Sequence, residues 1–284
     1  MRGMLFVNPS SGADNPSVEE LVAAAEERGV SVHVLRDGED LVELARSADA
    51  EVLGMAGGDG SLGAVAQVAI ERNLPFVCIP WGTRNHFAID AGLPADDPLG
   101  AVAAFDGAER RVDVGRVGDR VFLNNVSLGV YARLVHRREF RRRREEALAR
   151  LRALATSVWR DRRWTRRFRV DGQPVNASVV LVANNEYVEE LTSLGERKRL
   201  DGGVLALYAA RGVRRLHWTE RTAQQFRIES DRPLPAAVDG EPAVLASPLE
   251  LRVDPGALRL LVPPGTEPEA PVRSELEGQD ERTQ

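Results

Sequence analysis

The sequence is poor in the residues that build disulfide frameworks and membrane-spanning helices. Cys78 is the only cysteine among 284 residues, which excludes an internal disulfide and fits a cytoplasmic setting. No stretch reaches the roughly 18 uninterrupted apolar residues that a membrane-spanning helix needs. The apolar run within Met1–Val7 is too short for the core of a signal peptide. We therefore expect a globular protein without a spanning helix.

Metal-binding patterns and lysine are also scarce. Lys198 is the only lysine, so nearly all of the positive charge is arginine. Three histidines show no metal-ligand spacing and are interpreted as surface or core residues: His33, His136 and His217.

The arginines are unevenly distributed in a chain of net charge −5. Residues 133–169 contain 15 arginines against four acidic residues, and a long helix is expected over about 130–159. This helix suits an anionic membrane surface, but it could equally be a solvated helix face with internal ion pairs. Nucleic-acid binding ranks third, because no pattern of stacking aromatic residues accompanies the charge.

The first 110 residues alternate strand and helix patterns, which predicts a parallel sheet covered by helices. The predicted strands are Met4–Val7, Val30–Leu35, Val52–Met55 and Phe76–Ile79. The predicted helices are Ser17–Arg28, Leu41–Ala48, Leu62–Arg72, Arg84–Ala91 and Pro98–Phe105.

The pattern changes near residue 110 to short strands separated by turns, which predicts a second, β-sandwich-like domain. A hairpin is expected over Arg111–Asn125, and one helix over Val213–Gln225. The other predicted strands are Thr165–Val170, Ser178–Ala183, Val204–Ala209, Ala236–Val238, Leu249–Val253 and Leu258–Val262. We therefore expect an α/β domain over 1–110, a β-rich domain over 111–263 and a disordered tail over 264–284.

A glycine-rich loop, Gly57–Ser61, lies between a predicted strand and a predicted helix. Backbone N–H groups at a helix N-terminus bind phosphate, while the carboxylate of Asp59 calls for a metal ion, an arginine or a ribose hydroxyl nearby. Gly58, Gly60 and Gly63 also match the dinucleotide-binding fingerprint. That fingerprint belongs after the first strand, with an acidic residue ending the next one, and neither condition is met. The loop favours a nucleotide with Mg²⁺ over a dinucleotide oxidoreductase.

Two further loops follow predicted strands, Asn8–Gly12 and Pro80–His86. Each alone could be an ordinary turn. Because parallel strands end at the same edge of a sheet, we expect these two loops and the glycine loop to converge on one crevice.

An acidic turn, Asp239-Gly240-Glu241, is the fourth chemical feature. Its two carboxylates could share a metal or a proton, but it could also be a solvated hairpin turn. The same alternatives apply to Asp201-Gly202-Gly203.

Taken in order, these motifs resemble the diacylglycerol kinase catalytic-domain family of bacterial lipid kinases, which are relatives of sphingosine and ceramide kinases. The matching stretches span about residues 3–263: Asn8–Gly12, Gly57–Ser61, Gly82–Asn85 with Phe87-Ala88, Leu200–Gly203 and Asp239–Glu241. The resemblance implies an N-terminal Rossmann-like domain, as in the superfamily of NAD kinases and phosphofructokinases, and a cleft between the two domains.

The resemblance also assigns ATP and Mg²⁺ as cofactors. It implies nucleotide contacts from Asn8, Pro9, Ser10, Ser11, Gly12, Gly57, Gly58, Asp59, Gly60, Ser61, Leu62, Gly63, Gly82, Thr83 and Asn85. It implies catalytic roles for Asp59, Asp239 and Glu241, with either Asp239 or Glu241 as the general base. It implies a structural Mg²⁺ site at Asp201, with backbone carbonyls of Lys198 and Gly203.

The expected function is therefore phosphorylation of a diacylglycerol-like lipid by ATP, at the inner face of the membrane. One departure from the family weakens this expectation, because His86 stands where the family usually has aspartate. The alternatives are a soluble kinase of the NAD type and a non-catalytic nucleotide or lipid sensor. The sequence decides neither the acceptor lipid nor whether the chain is a monomer or a homodimer.

Overall fold

The computed structural model describes residues 2–12, 16–93, 95–129, 166–177, 179–187, 197–210, 218–230 and 234–266. The arginine-rich helix expected over 130–159 lies outside the described residues, as does the tail from residue 267 onward.

The N-terminal part is a parallel sheet with helices on both faces. Its strands are β1 (Gly3–Val7), β2 (Ser31–Val34), β3 (Val52–Gly57) and β4 (Phe76–Pro80), in the spatial order β2-β1-β3-β4. Its helices are α1 (Val18–Glu26), α2 (Leu41–Ser47), α3 (Asp59–Glu71), α4 (His86–Asp90) and α5 (Pro98–Ala101), followed by a 3₁₀ turn at Val102–Asp106. The predicted parallel sheet is confirmed.

Both faces of this sheet are sealed by apolar side chains, because its strands are nearly continuous hydrophobic runs. Met55 and Phe76 pack with Leu62 and Val65 of α3 on one face. On the other face Leu5, Val7 and Ile79 pack against residues of α1, α5 and the 3₁₀ turn. The carboxyl ends of β1, β3 and β4 are thereby held at one edge, where the predicted phosphate loops begin.

A long C-terminal strand, β16 (Leu249–Val262), extends this sheet into an antiparallel half. Its end pairs parallel to β4 through Leu260 and Leu261, and the sheet continues to ten strands. The added strands are β5 (Ala108–Val117), β6 (Arg120–Phe122), β8 (Arg166–Val170), β9 (Gln173–Ala177) and β13 (Gln225–Glu229). The two runs predicted at Leu249–Val253 and Leu258–Val262 form one strand, with a register shift against β5 between Asp254 and Leu258.

The second sheet is entirely antiparallel. It contains β7 (Asn125–Gly129), β10 (Val179–Asn184), β11 (Leu205–Ala210), β12 (Trp218–Ala223), β14 (Leu234–Val238) and β15 (Glu241–Leu245), in the order β12-β11-β10-β7-β14-β15. Its buried face, including Val126 and Leu128, shares a core with Phe122, Phe168 and Phe226 of the first sheet. The predicted combination of an α/β sheet with a second β-rich layer is confirmed.

One predicted helix is wrong. The described part of Val213–Gln225 forms strand β12 and the start of β13 instead. Every residue of β12 pairs with one of β11, from Trp218 opposite Ala210 to Ala223 opposite Leu205. Sheet pairing, together with β-favouring Thr219 and Thr222, outweighs the weak helical pattern.

The predicted hairpin over Arg111–Asn125 is confirmed at its turn, but it is shorter than expected. Strand β6 ends at Phe122, and Asn125 already belongs to β7 of the other sheet. The chain therefore crosses between the two sheets through only two residues, Leu123 and Asn124. This crossing contributes to the site described next.

Candidate active site

Three predicted phosphate-binding loops, here called the phosphate loops, are Asn8–Gly12, Gly57–Ser61 and Pro80–His86. The first of them follows β1 and contacts the other two. The side-chain amide of Asn8 donates to Ser61 Oγ at 3.4 Å and its Oδ1 accepts from the Ser10 N–H at 3.1 Å. A Cβ atom on Gly12 would lie 2.2 Å from the Trp81 ring, so only glycine allows the loop to approach this indole.

The glycine loop leads directly into α3, which begins at Asp59. Gly58 is the N-cap residue and provides no side chain to cap the helix. The first N–H groups of α3 are therefore oriented to bind an anion, and the helix dipole adds to their attraction. Asp59 Oδ1 accepts the Phe87 N–H at 3.3 Å, which ties the start of α4 to the start of α3.

The third loop is folded by Asn85, a buried residue with a φ of 49°. Its Oδ1 accepts the Gly82 N–H at 2.7 Å, closing a turn that leaves Thr83 exposed. A Cβ atom on Gly82 would lie 2.9 Å from Gly58 Cα, so the two loops are in contact. The three loops thus lie side by side at the carboxyl edge of the parallel sheet.

The acidic turn reaches this edge from the second sheet. Asp239 and Gly240 have φ angles of 49° and 84°, the backbone of a tight hairpin turn between β14 and β15. A Cβ atom on Gly60 would lie 2.3 Å from Glu241 Cγ, and one on Gly63 would lie 3.3 Å from Asp239 Oδ2. The carboxylates therefore rest on the first turns of α3.

Asp239 is held by the crossing segment between the two sheets. Its Oδ2 accepts the Leu123 N–H at 2.7 Å, and its Oδ1 accepts the N–H groups of Asn124 at 2.7 Å and Asn125 at 3.0 Å. Burial raises the pKa of Asp239 to about 6; the bonds from Leu123 and Asn124 act against this rise, and the negative charge of Asp59 adds to it.

The raised pKa of Asp239 predicts how stability depends on pH. The folded protein retains a proton that the unfolded chain releases, so the stabilisation is complete below about pH 4 and is lost as the pH rises through about 6. Relative to Asp239→Asn, the unfolding free energy of the wild type should fall by up to about 3 kcal/mol across this window. Denaturant titrations of both proteins between pH 4 and 7 measure the two unfolding free energies. A wild-type value that rises with pH relative to the Asp239→Asn value would contradict the raised pKa of Asp239.

The three residues of the predicted Mg²⁺ loop each have a different hydrogen-bond partner. Asp201 Oδ1 accepts from Arg199 Nε at 2.7 Å, and this bond lowers the pKa of Asp201. The Gly203 N–H donates to Asp113 Oδ2 at 2.6 Å, and the Lys198 N–H donates to the Glu186 carbonyl at 3.0 Å. Within the described ranges, no group of three His, Cys, Asp or Glu residues could hold a metal ion.

Two buried charged residues near the site were missed by the sequence reasoning. Asp113 of β5 binds the loop after Asp201, and Arg197 pairs with Asp90 at the end of α4. The one available signal for Asp113 was a carboxylate flanked by Val112 and Val114 in a predicted strand. Arg197 lies in a charged run that suggested only surface.

Comparison with known protein families identifies the N-terminal part of the chain. The family model for the diacylglycerol kinase catalytic domain matches residues 2–117, which include all three phosphate loops. Residues 2–117 of this chain therefore form a diacylglycerol kinase catalytic domain. The predicted resemblance is therefore confirmed, and the protein is a kinase of a family that uses ATP.

The relatives extend this similarity over almost the whole chain. A Chromohalobacter salexigens protein named "Probable lipid kinase YegS-like" is 28% identical across 92% of this chain and 93% of its own length. A Pseudomonas aeruginosa protein of the same name is 36% identical over 44% of each chain. A solved structure described as a diacylglycerol kinase from Bacillus anthracis shares the fold, with a TM-score of 0.69, 18% identity and coverage of 92% of this chain and 96% of its own.

No helix in the described part of the chain is long and apolar enough to cross a bilayer.

Proposed function

We propose that this kinase transfers the γ-phosphoryl group of ATP to a hydroxyl group of a diacylglycerol-like lipid. One observation carries the proposal: the acidic turn of the second sheet lies against the first turns of α3, where Glu241 Cγ would be 2.3 Å from a Cβ atom on Gly60. A phosphate-binding helix N-terminus and a carboxylate thus share one site. The relatives named lipid kinases support a lipid as the acceptor.

The three loops supply what phosphoryl transfer chiefly needs, which is positioning and neutralisation of charge. We assign the phosphates of ATP to the N–H groups at the start of α3, with further contacts from Ser10–Gly12 and Thr83. The close contact between Gly82 and Gly58 keeps these donors in a fixed relation, so little ordering is needed when ATP binds.

Of the two carboxylates, Glu241 is the better general base. Asp239 is buried, and its oxygens already accept three N–H groups. Glu241 is exposed and lies over Gly60, the position from which a carboxylate can accept the proton of an incoming hydroxyl group. Asp239 then has the separate task of fixing the turn that carries Glu241.

Oxygen donors around the 198–203 loop fit a Mg²⁺ ion. Among the residues that the structure describes, Asn185 Oδ1 is buried without a hydrogen-bond partner, and it would lie 2.5 Å from a Cβ atom on Gly202. Asp201 and the carbonyls of Lys198 and Gly203 would complete the set of oxygen ligands that Mg²⁺ prefers. A bound Mg²⁺ would supply positive charge there and hold the loop against Asp113. Separately, Mg²⁺ bound with ATP would neutralise the charge of its phosphates.

Peripheral binding to an anionic membrane surface is part of the proposal, because the acceptor lipid resides in a bilayer. Its support is the sequence over 133–169, with 15 arginines against four acidic residues. Each arginine near an anionic surface contributes roughly 1 kcal/mol at moderate ionic strength. Flotation should therefore recover the full chain with vesicles that contain anionic lipid, and recovery should decrease with added salt.

The acceptor class can be tested with γ-labelled ATP and Mg²⁺. Purified full-length protein is incubated with diacylglycerol, a sphingoid base or ceramide in mixed micelles, and separately with NAD in solution. We expect label in the lipid phase, with diacylglycerol as the preferred acceptor. Label in NAD alone would replace the proposal with a soluble kinase, and ATP binding without transfer to any acceptor would favour a sensor.

A further inference from the structure

A fully buried ion pair lies behind the acidic turn. Arg197 Nε donates to Asp90 Oδ2 at 2.6 Å, and the two side chains are 0% and 3% exposed. The backbone N–H of Arg197 also donates to Asp90 Oδ1, at 3.1 Å. Desolvating two charges costs several kcal/mol, so such a pair is a weak source of stability. Its other contacts point to a role in geometry.

The guanidinium group binds the crossing segment between the two sheets. Its Nη1 donates to the Leu123 carbonyl at 2.5 Å and to the Asn184 carbonyl at 3.3 Å, and its Nη2 donates to Asn124 Oδ1 at 3.0 Å. All of these acceptors are buried. Arg197 therefore shares the Leu123 carbonyl with Asn184 Nδ2, which donates to it at 3.1 Å, while the Asn184 N–H donates to the Asn124 carbonyl at 2.9 Å. Of these donors, the guanidinium group is the one that brings a positive charge to the segment between β6 and β7.

The same segment holds Asp239 from its other side. The Leu123 carbonyl and the Asn124 N–H belong to one peptide group, and this N–H donates to Asp239 Oδ1 at 2.7 Å. A cation therefore lies on the oxygen of this peptide group and a carboxylate lies on its N–H. Hydrogen bonds arranged in such a chain polarise and strengthen one another.

We propose that Arg197 is a positioning residue for phosphoryl transfer, which acts by fixing the Leu123–Asn125 segment that holds Asp239 and hence the turn that carries Glu241. This inference rests on the proposed role of that turn. Asp90 is the second member of the device, because it fixes the guanidinium group and links it to α4. Since α4 also donates the Phe87 N–H to Asp59, one short helix connects both ends of the candidate site.

The test replaces both charges, because Arg197→Met alone would leave Asp90 buried and unpaired. Arg197→Met with Asp90→Asn removes the cation and keeps an acceptor for the Arg197 backbone N–H. The matched control is Arg116→Met with Asp254→Asn, which removes a partly buried ion pair between β5 and β16 that does not contact the crossing segment. Both double variants are made in the full-length protein.

Two readouts are measured on each variant. In ¹H–¹⁵N spectra of the protein without ATP, the amide resonances of Asn124 and Asn125 should move upfield in the Arg197 variant and stay in place in the control. In the acceptor assay, kcat should fall by about tenfold or more with KM for ATP unchanged, as expected when a charge-assisted hydrogen bond that positions the catalytic turn is lost. In an Asp239→Asn background the Arg197 variant should lower kcat little further.

These readouts separate the inference from the proposed function. Unchanged amide resonances of Asn124 and Asn125, or a full and additive loss of kcat in the Asp239→Asn background, would overturn the role of Arg197. If the amide resonances move but the wild type phosphorylates no lipid, the proposed function fails and the positioning of Asp239 by Arg197 stands.

Discussion

Replacing Glu241 with glutamine should lower kcat by about 100- to 10,000-fold, the usual contribution of a general base. Glutamine retains the size of the side chain but cannot accept the proton of the attacking hydroxyl group. KM for ATP should change little, because the proposal assigns the phosphates to the backbone at the start of α3 and not to this side chain. Initial rates at varied ATP and lipid concentrations measure both constants.

Gly60→Ala offers an independent variant that leaves the chemistry of the carboxylate intact. The new methyl group would lie 2.3 Å from Glu241 Cγ, so the side chain must move away. Alanine favours a helix over glycine by about 1 kcal/mol, so the melting temperature should not fall. A Glu241→Gln enzyme with wild-type kcat would eliminate Glu241 as the base. A Gly60→Ala enzyme with wild-type kcat would show that the contact between Gly60 and Glu241 has no catalytic consequence.

Replacing Asp113 with alanine should cost about 3 kcal/mol or more of unfolding free energy, because three donors lose their acceptor at once. Asp113 accepts the Gly203 N–H at 2.6 Å, the Gly256 N–H at 2.8 Å and Asn185 Nδ2 at 3.2 Å. These donors come from three separate chain segments. Gly256 lies at the register shift in β16, and Gly203 lies in the proposed Mg²⁺ loop.

Chemical denaturation of the Asp113→Ala and Asp113→Asn variants checks this prediction. Asparagine keeps one acceptor oxygen, so its loss should be smaller. Asp49→Ala is the control, because Asp49 is 83% exposed in its pair with Arg2 and such surface pairs contribute at most about 1 kcal/mol. Equal losses for Asp113→Ala and Asp49→Ala would contradict the role of Asp113 as a buried junction.

The parallel half of the fold could be predicted because its signals are local. Most of its strands are apolar runs followed by a turn or helix-capping residue, as Gly58 follows β3. The antiparallel half was predicted less well, because its strands are stabilised by partners far along the chain. Residues 218–223 have a weak helical pattern and become β12 only through pairing with β11.

The same distinction between local and distant signals applies to the candidate site. The three loops and the acidic turn are short motifs whose composition reveals them. Arg197 contacts Asp90 across 107 positions and Leu123 across 74, and nothing in the adjacent sequence indicates that its side chain is buried. Residues that position a site without lining it are recognised from their packing in the structure. A single sequence does not contain this packing information.

The central claim is that the three loops and the acidic turn surround one triphosphate, and an NMR titration with a non-hydrolysable ATP analogue and Mg²⁺ tests it most directly. The amide resonances of Ser11, Gly58, Gly60 and Ser61 should shift together with those of Gly240 and Glu241, all following a single dissociation constant. Shifts confined to the loops, with Gly240 and Glu241 unmoved, would contradict a shared site.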